Sequence, residues 1–187
     1  LNITADNIIE WFGQPDIIWA SPPCTAFSVA SIGYHWKGGK RAYIPKTEFA
    51  EQSKKIVKHT LKLIEELNPK YYFIENPRGL LRKMKFMLKY DRHTVTYCQY
   101  GDDRMKPTDI WTNHPYPNFK PTCSNGDDCH VSAPRGSRTG TQGLKNSIDR
   151  ARIPKELCKY IVKISEIDFD YALEEYYRNN DIQLSLF

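Results

Sequence analysis

The run Asp16-Ile17-Ile18-Trp19-Ala20-Ser21-Pro22-Pro23-Cys24-Thr25-Ala26-Phe27-Ser28-Val29-Ala30 decides how the rest of the chain is read. Its first five residues are an apolar stretch of strand length. The paired prolines lack amide hydrogens and stop that strand from continuing as a central one. Cys24 is thereby held just past the carboxyl end of a strand, the edge at which open α/β sheets bind their ligands. From the residues alone, a lone cysteine in a proline turn is more often a buried structural side chain. A second stretch tips the balance toward chemistry.

That stretch is Tyr71-Tyr72-Phe73-Ile74-Glu75-Asn76-Pro77-Arg78-Gly79, another apolar strand that ends in a carboxylate and is stopped by a proline. A glutamate there, taken alone, is more often a solvated edge charge. Between the two strands, Thr47 to about Leu67 has helical spacing, with apolar positions Ile56, Thr60, Leu63, Ile64 and Leu67. A strand–helix–strand crossover makes its strands parallel and brings their carboxyl ends to one edge. The pattern predicts an α/β fold in which Cys24 and Glu75 face one cleft.

Pro23, Cys24, Phe27, Ser28 and Val29 resemble the Pro-Cys and Phe-Ser motif of the DNA cytosine-5 methyltransferases. Glu75-Asn76 matches the family's Glu-Asn-Val, with Pro77 in place of Val. Tyr100-Gly101 followed by Arg104-x-Lys106 is similar to its Tyr-Gly and Gln-x-Arg-x-Arg elements, with Lys for the second Arg and no matching Gln. The resemblance implies a Rossmann-like, S-adenosylmethionine-dependent methyltransferase fold. It implies that Cys24 attacks carbon 6 of a cytosine rotated out of its duplex, that Glu75 acts at ring nitrogen 3 with a raised pKa, and that Arg104 holds the base. Asn2 and Ile3 fall where the family contacts the cofactor adenine. Asn146-Ser147-Ile148 echoes a final motif that returns Ser147 to the cofactor pocket. Residues 31–46, glycine-rich, basic and aromatic, correspond to a loop that closes over DNA. Ser28, Lys37, Lys40, Arg41 and Lys106 are its expected DNA contacts, with Tyr34 or Trp36 stacking on bases.

No Phe-x-Gly-x-Gly turn, which in the family binds the cofactor, is found in the chain. The expectation is of a truncated fold that begins roughly 50 residues into its domain, and of a polypeptide that alone does not methylate DNA. Residues 1–112 are read as the catalytic core lacking its first strands. Residues 113–150 are read as a short irregular recognition region, in which Arg135 and Arg138, with Lys145, Arg150 and Arg152, follow a DNA backbone. Residues 151–170 hold a helix returning to the core, and 171–187 a tail. Gln183-Leu184-Ser185-Leu186-Phe187 is similar to the peptide by which bacterial DNA enzymes dock on the sliding clamp, and Leu184, Leu186 and Phe187 would be its apolar anchors. The rival for that tail is packing on the chain's own core.

A net charge of +5 suits a polyanionic partner without establishing one. Five cysteines and no apolar run of spanning length point to an intracellular, reduced protein. The resemblance implies the cytoplasm of a bacterial cell or a phage-infected host, with a restriction–modification system and a virus both left open. No metal is expected; a structural zinc on Cys123, Cys129 and His130, with His114 upstream, is the weaker alternative, because the spacing lacks paired Cys-x-x-Cys knuckles. Two other classes stay open. One is a degenerate relative that binds DNA or the clamp without catalysis. The other is an amino-group methyltransferase, disfavoured because Cys24 stands where that class needs an aromatic.

Overall fold

The computed structural model describes residues 2–39, 42–132 and 146–166. Helix α1 (Ala5–Phe12) starts in a capping box in which Thr4 accepts the amide of Asn7 and Asn7 accepts that of Thr4, and Gly13, at φ 79°, ends it. Strand β1 (Ile17–Ala20) leads into the Pro22-Pro23 turn and a single 3-10 turn, Thr25–Phe27. Helix α2 (Ile32–His35) and a two-stranded ribbon, β2 (Trp36–Lys37) with β3 (Ile44–Pro45), follow. Helix α3 (Glu48–Leu67), capped by Thr47, crosses to β4 (Tyr71–Pro77). Strands β5 (Arg92–Thr96) and β6 (Pro107–Thr112) complete the sheet, and helices α4 (Ser147–Ala151) and α5 (Lys155–Glu166) close the described chain.

The sheet order is β1-β4-β6-β5. β1 runs parallel to β4, with Ala20 opposite Ile74, while β6 runs antiparallel to both β4 and β5. This is the arrangement expected from the strand–helix–strand pattern, and it leaves the ends of β1 and β4 on one edge. Side chains alternate along β4. Ile74 and Tyr72 join the core under α3, with Phe27, Trp36, Val57, Leu61, Leu80 and Trp111. Tyr71 and Phe73 join a second core under α5, with Val95, Tyr97, Ile110, Leu157, Ile161 and Ile164. Each such fully buried side chain contributes about 1.5–3 kcal/mol relative to exposure.

Four sequence expectations are corrected: the apolar positions of α3, a short basic helix over Leu80–Leu88, two short strands around the Tyr100-Gly101 turn, and Cys158 on the apolar face of an amphipathic helix that starts at Pro154. The buried face of α3 runs through Ala50, Ser53, Val57, Leu61, Ile64 and Leu67, so Ile56, Thr60 and Leu63 flank the seam instead of forming it. Leu80–Leu88 is not a helix but two 3-10 turns, Leu81–Lys83 and Lys85–Met87. Around Tyr100-Gly101, the first strand lies earlier, at Arg92–Thr96, and Tyr97–Tyr100 is a 3-10 turn that buries two tyrosines. In α5 the expected apolar Cys158 is exposed, and Ser165 is buried in the stripe instead.

Helix α1 has no buried side chain, and Trp11 and Phe12 on it are exposed. No helix among the described residues is long and apolar enough to cross a membrane.

Candidate active site

Three loops meet where β1 and β4 end. The first carries Cys24. The side-chain amide of Asn76 donates to the carbonyl of Pro22 at 2.9 Å, and the indole of Trp36 donates to the carbonyl of Ala26 at 2.7 Å. The backbone amide of Leu80 donates to the carbonyl of Phe27 at 2.8 Å, which ties the loop after Glu75 to the turn after Cys24. Gly79 permits that approach, because a Cβ there would stand 2.4 Å from the carbonyl oxygen of Phe27. The third loop is held in turn by Arg78, whose amide donates to the carbonyl of Pro107 at 2.9 Å.

Glu75 is buried at 6% exposure. It accepts the phenol hydrogen of Tyr97 at Oε1, 2.9 Å away. Burial pushes its carboxyl above the ordinary range, and Lys106 and the hydroxyls of Tyr97 and Ser21 only partly offset this. Burial also raises the Cys24 thiol, and the Glu75 carboxylate adds to that, while the Lys106 ammonium pulls it back. Lys106, buried at 7% exposure, sits 4.5 Å from the centre of the Tyr97 ring. Burial lowers its pKa, and Glu75 and Cys24 work against that. A thiol, a carboxyl group and an ammonium thus share one low-dielectric corner. Perturbed groups of this kind collect at functional sites.

Lys106 has a φ of 28°, uncommon for a residue with a side chain. Thr108 donates its hydroxyl to the Lys106 carbonyl at 3.0 Å, and Pro107 follows directly, so the backbone is held on both sides. Replacing Lys106 with Met should raise the pH at which the Cys24 thiol becomes reactive. Iodoacetamide alkylation against pH, read on the Cys24 peptide by mass spectrometry, measures this. An unmoved midpoint would mean that the ammonium does not act on the sulfur.

Residues 2–91 match the family described as C-5 cytosine-specific DNA methylase. A protein of Frog virus 3 (isolate Goorha), named "Probable DNA (cytosine-5)-methyltransferase", is 27% identical over 154 residues, which span 74% of this chain and 70% of that relative. Over residues 2–91, just under half of its length, the chain resembles the C-5 cytosine-specific DNA methylase family.

Members of this family methylate DNA and use S-adenosylmethionine as donor. Here the expected base-holding arginine is engaged elsewhere. Arg104 is buried against the Asp102 carboxylate, to which both its Nε and an Nη donate, and Nη1 donates to the Asp149 carbonyl at 2.8 Å. Residues 101–106 form turns and bends and not an extended strand, so the two-residue spacing does not by itself set Arg104 and Lys106 on one side. Lys106, expected only as a DNA contact, is the cation that stands with Cys24 and Glu75. The raised carboxyl of Glu75 was expected from the family resemblance; the role of Tyr97 as its partner was not.

The remaining candidates scatter. Ser28 and Lys37 are exposed near the Cys24 turn. Trp36 is core, stacked on Phe27 with ring centres 5.4 Å apart, and cannot serve as a stacking platform for bases, whereas Tyr34 is exposed. Asn2 and Ile3 are exposed, and the Ile3 carbonyl takes a hydrogen bond from His59 at 2.8 Å. Ser147 opens α4, where Asn146 is the cap. Lys40, Arg41, Arg135, Arg138, Lys145, Gln183, Leu184, Leu186 and Phe187 lie outside the described residues.

Proposed function

We propose that this chain activates a cytosine, rotated out of duplex DNA, for methylation at carbon 5, with Cys24 as nucleophile, Glu75 as proton donor and Lys106 as the cation beside them. The meeting of these three side chains at one sheet edge is the observation that carries the reading. Carbon 5 of cytosine is a poor nucleophile while the ring is aromatic. Sulfur adds to carbon 6, and the proton of Glu75 passes to nitrogen 3 as charge develops there. Carbon 5 then carries enamine electron density. S-adenosylmethionine, the donor used in this family, supplies an electrophilic methyl group. When carbon 5 gives up its hydrogen as a proton, the electron pair re-forms the ring double bond and expels the Cys24 thiolate, and nitrogen 3 returns its proton to Glu75.

The environment of each group suits its part. Burial raises the Glu75 carboxyl above its ordinary range, the direction a proton donor needs. The Cys24 thiol rests protonated in the free protein. Lys106 favours the thiolate and stabilises negative charge on the base, the work assigned to Arg104 by motif alone. An extruded base is the form in which cytosine reaches such a corner.

The test needs no methyl donor. Reversible addition of Cys24 lets carbon 5 exchange its hydrogen, so a duplex carrying cytosine tritiated at that carbon should release label to water when the chain is added. Cys24→Ser should release none. Label retained with the parent chain, while DNA binding is intact, would favour the non-catalytic DNA-binding relative instead. Gln183–Phe187 remains a proposed docking peptide on sequence grounds, and a sliding-clamp pull-down with and without these five residues decides it.

A further inference from the structure

Cys98, Cys123, Cys129 and His130 come together although they are spread over three separate turns. One ligand atom from each lies within 4.8 Å of every other. Cys98 sits in the 3-10 turn after β5. Cys123 is fixed beside it by its own amide, which donates to the Thr96 hydroxyl at 3.1 Å. The chain then reverses in a tight turn in which Asp127 accepts the Ser124 amide at 2.7 Å and Gly126 adopts φ 102°. That reversal returns Cys129 and His130 to the same spot.

The spacings are those of a shared central atom. The Cys98 and Cys129 sulfurs are 3.6 Å apart, and Nδ1 of His130 lies 3.7 Å from Cys123 and 3.5 Å from Cys129. Tetrahedral zinc, with bonds of about 2.3 Å to sulfur and about 2.0 Å to nitrogen, sets ligand edges of about 3.8 Å between sulfurs and about 3.6 Å from sulfur to nitrogen. The Cys98–Cys123 pair, at 3.0 Å, would open slightly around an ion. Thiols are weak donors and weak acceptors, so three of them have little reason to gather around one imidazole for hydrogen bonding alone. Nε2 of His130 is buried without a partner among the described residues, which leaves the ring's polar contacts to the sulfurs. His114, the other histidine considered, is used elsewhere: its Nδ1 accepts the Tyr116 amide and its Nε2 donates to the Ile164 carbonyl.

We infer that Cys98, Cys123, Cys129 and His130 form a structural zinc site. Three sulfurs and one imidazole nitrogen fill a tetrahedral shell, which marks a structural site, since a catalytic one keeps an open position. Soft thiolates select zinc over magnesium or calcium. The ion would fasten residues 123–130, which form no strand or helix, to the turn that begins the Tyr97–Lys106 loop. The amide of Val131, just beyond the cluster, already donates to the carbonyl of Asp103 in that loop at 2.8 Å. The site stands independently of the chemistry proposed at Cys24.

Elemental analysis of the full chain, purified without chelator from zinc-supplemented cells, should find one zinc per chain. Cobalt exchanged into the site should give the intense visible bands and thiolate charge transfer of a tetrahedral sulfur-rich shell. Cys129→Ser and His130→Ala should each lower the zinc content, while Cys158→Ser, at an exposed cysteine outside the cluster, should leave it unchanged. Should the variants fail to fold, the metal content and cobalt spectrum of the parent chain decide alone. A parent chain that neither carries zinc nor takes it up after chelation overturns the inference. So does one whose mass is two hydrogens lighter through a Cys98–Cys123 disulfide.

Discussion

Glu75→Gln should slow tritium release from carbon 5 of cytosine by about 10²–10⁴-fold, the usual contribution of a positioned acid. The amide keeps an oxygen to accept the Tyr97 hydroxyl, so the loop geometry survives and the loss isolates the proton. Stability should move the other way. Burial holds the folded carboxyl above its ordinary value of 4.5. In the parent protein the unfolded chain therefore releases this proton first, and the folded state binds more protons than the unfolded one in the interval between the two values. Stability contributed by the protonated group is full below the unfolded value and is lost as pH rises to the folded value. The Gln variant lacks that loss. Urea unfolding at several pH values should show the variant gaining on the parent as pH rises from 4 to 8. Exchange at the parental rate would remove Glu75 from the mechanism.

Arg82→Ala should cost about 3–5 kcal/mol, the range for breaking a buried ion pair from one side. Asp109 lies in β6 with no exposure, and its carboxylate accepts from both Nε and an Nη of Arg82 as well as from the Thr94 hydroxyl. Removing the guanidinium leaves that anion in the sheet with one neutral donor. The double variant Arg82→Ala, Asp109→Asn should recover part of the loss, because no buried charge then goes unpaired. Arg82 lies two residues beyond Leu80, whose amide holds the Cys24 turn, so the single variant should also weaken DNA-dependent exchange before it unfolds the protein. Equal stability of the two single variants Arg82→Ala and Asp109→Ala would count against this account, since Arg82 is partly exposed and can rehydrate while Asp109 cannot.

The legibility of this chain follows from how local each signal is. The Thr4 cap, the Gly13 stop and the parallel pairing of β1 with β4 depend on near neighbours and on period, and all were readable. Cys24 and Glu75 were singled out by short motifs that resemble a known family and by the crossover that brings both to one edge, since a proline turn or a strand-ending carboxylate alone favours a structural thiol or a solvated charge. Lys106 was not, since its place depends on a positive φ in a turn whose shape a two-residue spacing does not reveal. Arg104 misled for the same reason: Asp102, only two residues away, captures it. Of the sulfur cluster, Cys123, Cys129 and His130 were already grouped by their closeness in sequence, whereas Cys98 was hidden by its distance along the chain.

The bonds that Asn76, Leu80 and Arg78 make to Pro22, Phe27 and Pro107 weld three loops into one casting. Such a mould exists before any guest arrives, so little of a guest's affinity is consumed in assembling its walls. What stays costly is prising the pyrimidine from its neighbours in the double helix, a few kcal/mol. Selectivity between ordinary and mispaired cytosines should then be governed by the nucleic acid's own stiffness more than by any yielding of the protein.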